Sequence, residues 1–134
     1  MNTLFDTAHQ EVLDLHVQIE NRFHNKPDTT KRLNFLSYFH PEFTMIGPDG
    51  VLRHCEDLKK WYQQAAGSRP QVVITIKQFT PLLTHNDLIM VSYEEHQQVT
   101  STETLRRLST AIFVPTQHSH QPLLWRHLHE TWIR

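Results

Sequence analysis

The last twelve residues, LLWRHLHETWIR (Leu123 to Arg134), concentrate side chains that move protons, bind metals or stack on rings: His127, His129, Glu130, Thr131, Trp125 and Trp132. On a strand, side chains alternate with period two. Leu123, Trp125, His127, His129 and Thr131 then share one face, and Leu124, Leu128, Glu130 and Trp132 share the other. Neither face is purely apolar, so alternation alone does not decide which is inside. Two mixed faces suit a strand with a pocket on one side and a partner subunit on the other. Histidine acts as a general acid or base near neutral pH. Two imidazoles at x-His-x-His spacing, as in His127-x-His129 and His118-x-His120, can also share a metal. No cysteine cluster, HExxH segment or carboxylate-rich loop accompanies either pair, so no metal is expected.

A second constellation is YEEHQ. Tyr93, Glu95 and Gln97 share a face, with Glu94 and His96 opposite. Val91 and Tyr93 on the Glu95 face favour Glu95 as the inward carboxylate, and Glu94 is the alternative. An inward carboxylate in an apolar pocket has its pKa raised and can pair with a histidine as base and orienter. The opposite reading is a solvated pair on the outer face. Arg107 and Ser109 share a face of another stretch. Arg107 would hold an anionic ligand or neutralise Glu95, or make an ordinary inter-strand bridge. Cys55 sits on the apolar side of a helical pattern, where cysteine behaves as a small hydrophobe. With three glycines and no P-loop, GxGxxG or GxSxG segment, no nucleotide or other cofactor is expected.

These groups must be positioned by the elements around them. Phe5, Ala8, Val12, Leu15, Ile19 and Phe23 form a helical stripe over 3–25, stopped by Asn25 and Pro27. Asp28 or Thr29 can cap a second helix through Tyr38, ended at His40-Pro41. FTMIGPDGVL reads as a short hairpin turning at Gly47 to Gly50. Cys55, Leu58, Trp61, Tyr62 and Ala65 share one face of a third helix, with Gly67 as its C-cap. The remainder is strand. Val72, Ile74 and Ile76 alternate, then the phase slips to Phe79, which predicts a bulge near Lys77-Gln78. His85-Asn86-Asp87 is a turn, and 115–122 reads as a polar loop.

This order predicts an α+β domain over 1–134: three N-terminal helices packed as a cone on a curved antiparallel sheet of about four long strands plus a short hairpin. With 134 residues, 38% apolar and 20% charged, the chain fits one folded domain rather than a disordered tail. A net charge of −1 carries no electrostatic footprint for nucleic acid. No apolar run is long enough to span a membrane, and the polar N-terminus does not read as a signal peptide. The lone Cys55 is compatible with a reducing, cytoplasmic setting.

Four segments in this order, FHPEFTMIGPDG, YEEHQ, RLSTAIF and WRHLHETW, resemble the NTF2-like, cystatin-like α+β cone superfamily, and within it the SnoaL-like and DUF4440-type domains. The resemblance covers almost the whole chain. It implies an internal pocket and a homodimer built on the outer sheet face. In these families the residue four after the strand tryptophan faces the pocket, which here is His129, with Thr131 beside it. Ketosteroid isomerases of the superfamily carry a base Asp before the proline of FTMIGPDG. Here Gly47 precedes Pro48, so that base is missing. The expected activity is therefore binding of a small apolar or aromatic ligand, with walls from Phe43, Met45, Trp61, Tyr93 and Trp125. The alternatives are a cofactor-independent isomerase, dehydratase or cyclase using His129 and Glu95, and a homodimeric adaptor.

Overall fold

The computed structural model describes residues 3–27, 34–118 and 121–134, with only the backbone at 118 and 121. The expected cap at Asp28 or Thr29 and the pair His118-x-His120 lie outside the described residues.

Helix α1 spans Leu4–His24. Its start is set by a capping box: Thr3 Oγ1 accepts from the Asp6 N–H, and the Thr3 N–H donates to Asp6 Oδ2, both at 3.0 Å. Its end is set by Asn25, whose φ of 61° is the left-handed geometry asparagine tolerates at a C-cap. A 3₁₀ turn, Phe35–Tyr38, leads into strand β1, Phe39–Ile46. A turn closed by the Gly50 N–H on the Gly47 carbonyl, 2.9 Å, returns the chain to β2, Leu52–His54. Helix α2 follows at once over Cys55–Ala65. The remaining strands are β3 (Val73–His85), β4 (Leu88–Gln98), β5 (Thr104–His118) and β6 (Gln121–Trp132).

The six strands form one sheet in the order β2-β1-β6-β5-β4-β3. Three expectations need correction. Among the described residues there are two α-helices and a 3₁₀ turn rather than three helices. The sheet is also mixed rather than antiparallel, because β1 lies parallel to β6. Strand β1 reaches its place beside the end of the chain through long-range packing, which local periodicity does not encode. Of the segment read as a polar loop over 115–122, the described residues are strand instead: β5 runs to His118 and β6 starts at Gln121. The predicted bulge is present: register shifts between Lys77 and Thr80, and Gln78 has φ 55°. The predicted turn is present too, with Asn86 and Asp87 both at positive φ, as a two-residue hairpin turn requires.

A second bulge decides the site. Ile112 pairs with His127 and Phe113 with Trp125, so Arg126 is an extra residue on β6. Before it, Leu123 and Trp125 point inward and are fully buried. After it the alternation is inverted, and Leu128 and Glu130 are the buried residues. The core that α1 closes is aromatic. Trp125 lies 4.6 Å from Phe113, 6.3 Å from Phe39 and 6.4 Å from Tyr93 between ring centroids. Offset and edge-on contacts of this kind stabilise a core beyond simple area burial.

Candidate functional site

One end of the concave face is left unfilled. A cavity of about 540 Å³ opens between α1, α2 and the sheet, walled on its apolar side by Phe35, Phe39, Phe43, Met45 and Leu58. Trp61 and Trp132 stand half-exposed where it meets solvent. Its polar side is built by cross-strand register. Ile76, Glu95, Arg107 and Trp132 are successive partners across β3, β4, β5 and β6, and Tyr93, Ser109 and Glu130 form the adjoining row. Residues directly opposite on one face lie close enough for their side chains to touch.

Glu95 is 4% exposed. Its partner is His16, on the buried stripe of α1. His16 Nε2 lies 3.1 Å from Glu95 Oε1, and His16 Nδ1 lies 2.7 Å from the Val12 carbonyl. A carbonyl only accepts, so Nδ1 carries a proton; the carboxylate then makes Nε2 a donor as well. With Glu95 ionised, both ring nitrogens are thus placed to donate, the geometry an imidazolium satisfies. Burial alone would lower the His16 pKa, but the charge and hydrogen bond of Glu95 outweigh it and raise it above 6.5. Burial likewise pulls Glu95 upward, and His16, Arg107 and Gln97 reverse that and hold it at about 2. Gln97 Nε2 donates to Glu95 Oε2 at 2.5 Å, and its carbonyl oxygen accepts from Arg69. When both groups are ionised, the pair presents two opposite charges rather than a free proton acceptor.

Glu130 is the contrasting carboxylate. Arg107 Nη1 donates to its Oε1 at 3.1 Å, and the Arg107 guanidinium sits 5.0 Å from the Trp132 ring centroid. Burial raises the Glu130 pKa; Arg107 opposes this, and the nearby Glu95 charge adds to it. Of the two buried carboxylates Glu95 and Glu130, only Glu130 is thus held above the ordinary carboxylate range. At the rim, Arg53 forks onto Asp49 at 2.7 and 3.0 Å, holding that carboxyl at about 2. The guanidinium packs over Gly47, where a Cβ would meet it at 2.9 Å.

Of the residues expected from sequence, Glu95, Arg107, Trp61 and Phe43 line the cavity. His129 and Thr131 do not. The Arg126 bulge turns them to the outer face, where both are exposed and border a shallow depression with Leu108 and Thr110. Tyr93 and Trp125 are fully buried in the core rather than on the cavity wall. Trp132, expected at a subunit contact, is instead at the cavity mouth. His127 is held by Thr44, whose Oγ1 is 2.8 Å from its Nδ1, and no group of three or more His, Cys, Asp or Glu side chains among the described residues is arranged to hold a metal. His16, Glu130, Arg69 and Arg53 were missed. His16 had a signal: it lies four residues after Val12 and three before Ile19, inside the apolar stripe of α1.

No family model and no curated protein matches the chain. Solved structures do match. An NTF2-like protein of unknown function from Pseudomonas aeruginosa is 25% identical, covers 95% of this chain and 98% of its own, and superposes with a TM-score of 0.82. An NTF2-like protein from Cytophaga hutchinsonii is 14% identical, with 99% and 100% covered and a TM-score of 0.72. The association domain of CaMKII from C. elegans is 14% identical, with 97% and 99% covered and a TM-score of 0.67. No helix among the described residues is long and apolar enough to cross a membrane.

Proposed function

Starting from a chain that has the NTF2-like, cystatin-like fold, we propose that it is a small-molecule-binding protein whose ligand occupies the cavity between α1, α2 and the concave sheet. One observation carries this reading. The cavity keeps about 540 Å³ open beside a row of buried charges that are mutually paired and hydrogen-bonded. Buried charges are costly unless satisfied, so a polar row on an apolar wall is an expensive feature for a site that only packs. The volume falls in the range of ligand pockets, roughly 300–1,000 Å³. Within the superfamily, the SnoaL-like and DUF4440-type branch is the placement the four sequence segments suggest.

The test is a thermal-shift screen of small apolar and aromatic compounds. Hits should shift wild type and His129→Ala equally, since His129 lies outside the cavity. They should lose their effect in Leu58→Trp, where an indole fills the cavity. A screen in which no compound moves the transition would sink the reading.

Self-association is a second reading, favoured by the outer sheet face. Leu108 and Val73 are 44% and 56% exposed there, an apolar exposure a partner would cover. The similar structures include a CaMKII hub and a CaMKII association domain. We propose a homodimer on this face, which sedimentation would reveal as twice the chain mass of 15.9 kDa; a monomer at micromolar concentration refutes it.

A further inference from the structure

We propose that the ligand is an organic anion, a carboxylate carried on an apolar or aromatic body, with Arg69 and Arg107 receiving its charge. This rests on the small-molecule reading of the cavity and goes further by naming the chemical class.

The charges on the wall do not cancel. His16 neutralises Glu95, and Arg53 is forked onto Asp49. Arg107 reaches Glu130 through one nitrogen only, and its buried Nε finds no partner among the described residues. Arg69 has no carboxylate within ion-pair reach among the described residues; it is held by the neutral amide of Gln97 and lies 5.1 Å from the Phe23 ring centroid. The cavity wall therefore carries one positive charge over when His16 is protonated and Asp49, Glu95 and Glu130 are ionised.

That excess is positioned. Gln97 gives its amide N–H to Glu95 and its carbonyl to Arg69, which fixes the amide orientation and aims the guanidinium. Arg107 sits opposite Glu95 on the next strand and Arg69 holds Gln97, so both guanidinium groups adjoin the Glu95–Gln97 pair on the cavity wall. They also feel each other: burial first, and then the Arg107 charge, lower the Arg69 pKa. A guanidinium does not relieve this by losing its proton at ordinary pH. An anion between the two relieves it, and a guanidinium fork matches a carboxylate in shape. A cationic ligand would meet net repulsion. A polyhydroxylated ligand would leave its hydroxyls unpaired against Phe35, Phe39, Phe43 and Leu58.

The experiment uses matched pairs that differ only in charge: indole-3-acetate with indole-3-acetamide, and 4-phenylbutanoate with 4-phenylbutanamide, titrated calorimetrically into the full chain. The acids should bind at least about tenfold more tightly than the amides. Arg69→Gln should weaken the acids by about tenfold and leave the amides unchanged, and Arg69→Lys should recover part of the loss. Arg107→Gln should act in the same direction, read only if its unfolding transition stays cooperative. Amides that bind as well as acids, or an acid preference indifferent to both arginines, would overturn the anion proposal while leaving the cavity reading standing. Failure of all four compounds to bind at millimolar concentration would overturn the proposal together with that reading.

Discussion

His129 and Glu130 are neighbours on the last strand and live in opposite worlds. Glu130 is 4% exposed, bonded to Arg107 and shifted in pKa, whereas His129 stands in solvent on the outer face. Glu94 and Glu95 repeat the contrast one layer away. Glu95 is locked to His16 inside, and Glu94 pairs with His96 on the outer face at 2.9 Å. The same residue types are present on both faces. What separates them is enclosure: a low-dielectric surround makes a charge costly alone and strongly coupled when paired, while water screens the outer groups.

The largest expected effect follows from the inner pair. Glu95→Ala leaves a buried imidazolium without its counter-charge and should destabilise by about 3–5 kcal/mol in urea unfolding. Glu94→Ala should stay within about 0.5 kcal/mol. Equal losses at the two positions would break the comparison.

The same pair sets a pH window. The folded-state pKa of Glu95, about 2, lies below its ordinary 4.5, so its stabilisation is present above pH 4.5 and is lost as pH falls toward 2. The His16 pKa is raised above 6.5, so its stabilisation is present below pH 6.5 and is lost as pH rises through the raised value. The pair should contribute fully between those two ordinary values. Glu130, with its raised pKa, acts the other way: it favours the fold at low pH and loses that contribution as pH rises. Urea midpoints measured against pH should show the acid limb shrinking in Glu95→Ala. An unchanged acid limb would refute the assignment.

Arg107 is 20% exposed in its side chain, so its loss should be felt less than that of Glu95. Arg107→Met should cost about 2 kcal/mol and push the Glu130 pKa higher still, as NMR titration would show. Trp132→Ala removes the ring stacked on Arg107 and should cost about 0.5–1 kcal/mol. The smallest effect belongs to His129→Ala, within about 0.5 kcal/mol and with no change in ligand affinity; a weakened ligand would place His129 in the site after all.

The sequence favoured Glu95 over Glu94 as the inward carboxylate on β4 because Val91 and Tyr93 share its face, and an unbroken strand keeps its faces; the alternation alone left Glu94 open. The bulge at Gln78 was legible because Ile76 and Phe79 are out of phase by one. The bulge at Arg126 was not. WRHLHETW mixes polar and apolar residues in either register, so a slip of one position leaves no visible break in its pattern.

The sequence by itself determined an α+β architecture of the NTF2-like kind, the turns at Gly47 to Gly50 and at His85 to Asp87, and α1 with its stop at Asn25, and it favoured Glu95 over Glu94 as the inward carboxylate. These follow from local rules of period, turn chemistry and capping. Only the tertiary structure decided that β1 runs parallel to β6, that Glu130 rather than His129 faces the cavity, and that Glu95 meets His16 and Gln97 meets Arg69. Each of these joins side chains from segments far apart in the chain. A single extra residue inverts every face downstream of it, and the partner of a buried charge is chosen by which surfaces pack together.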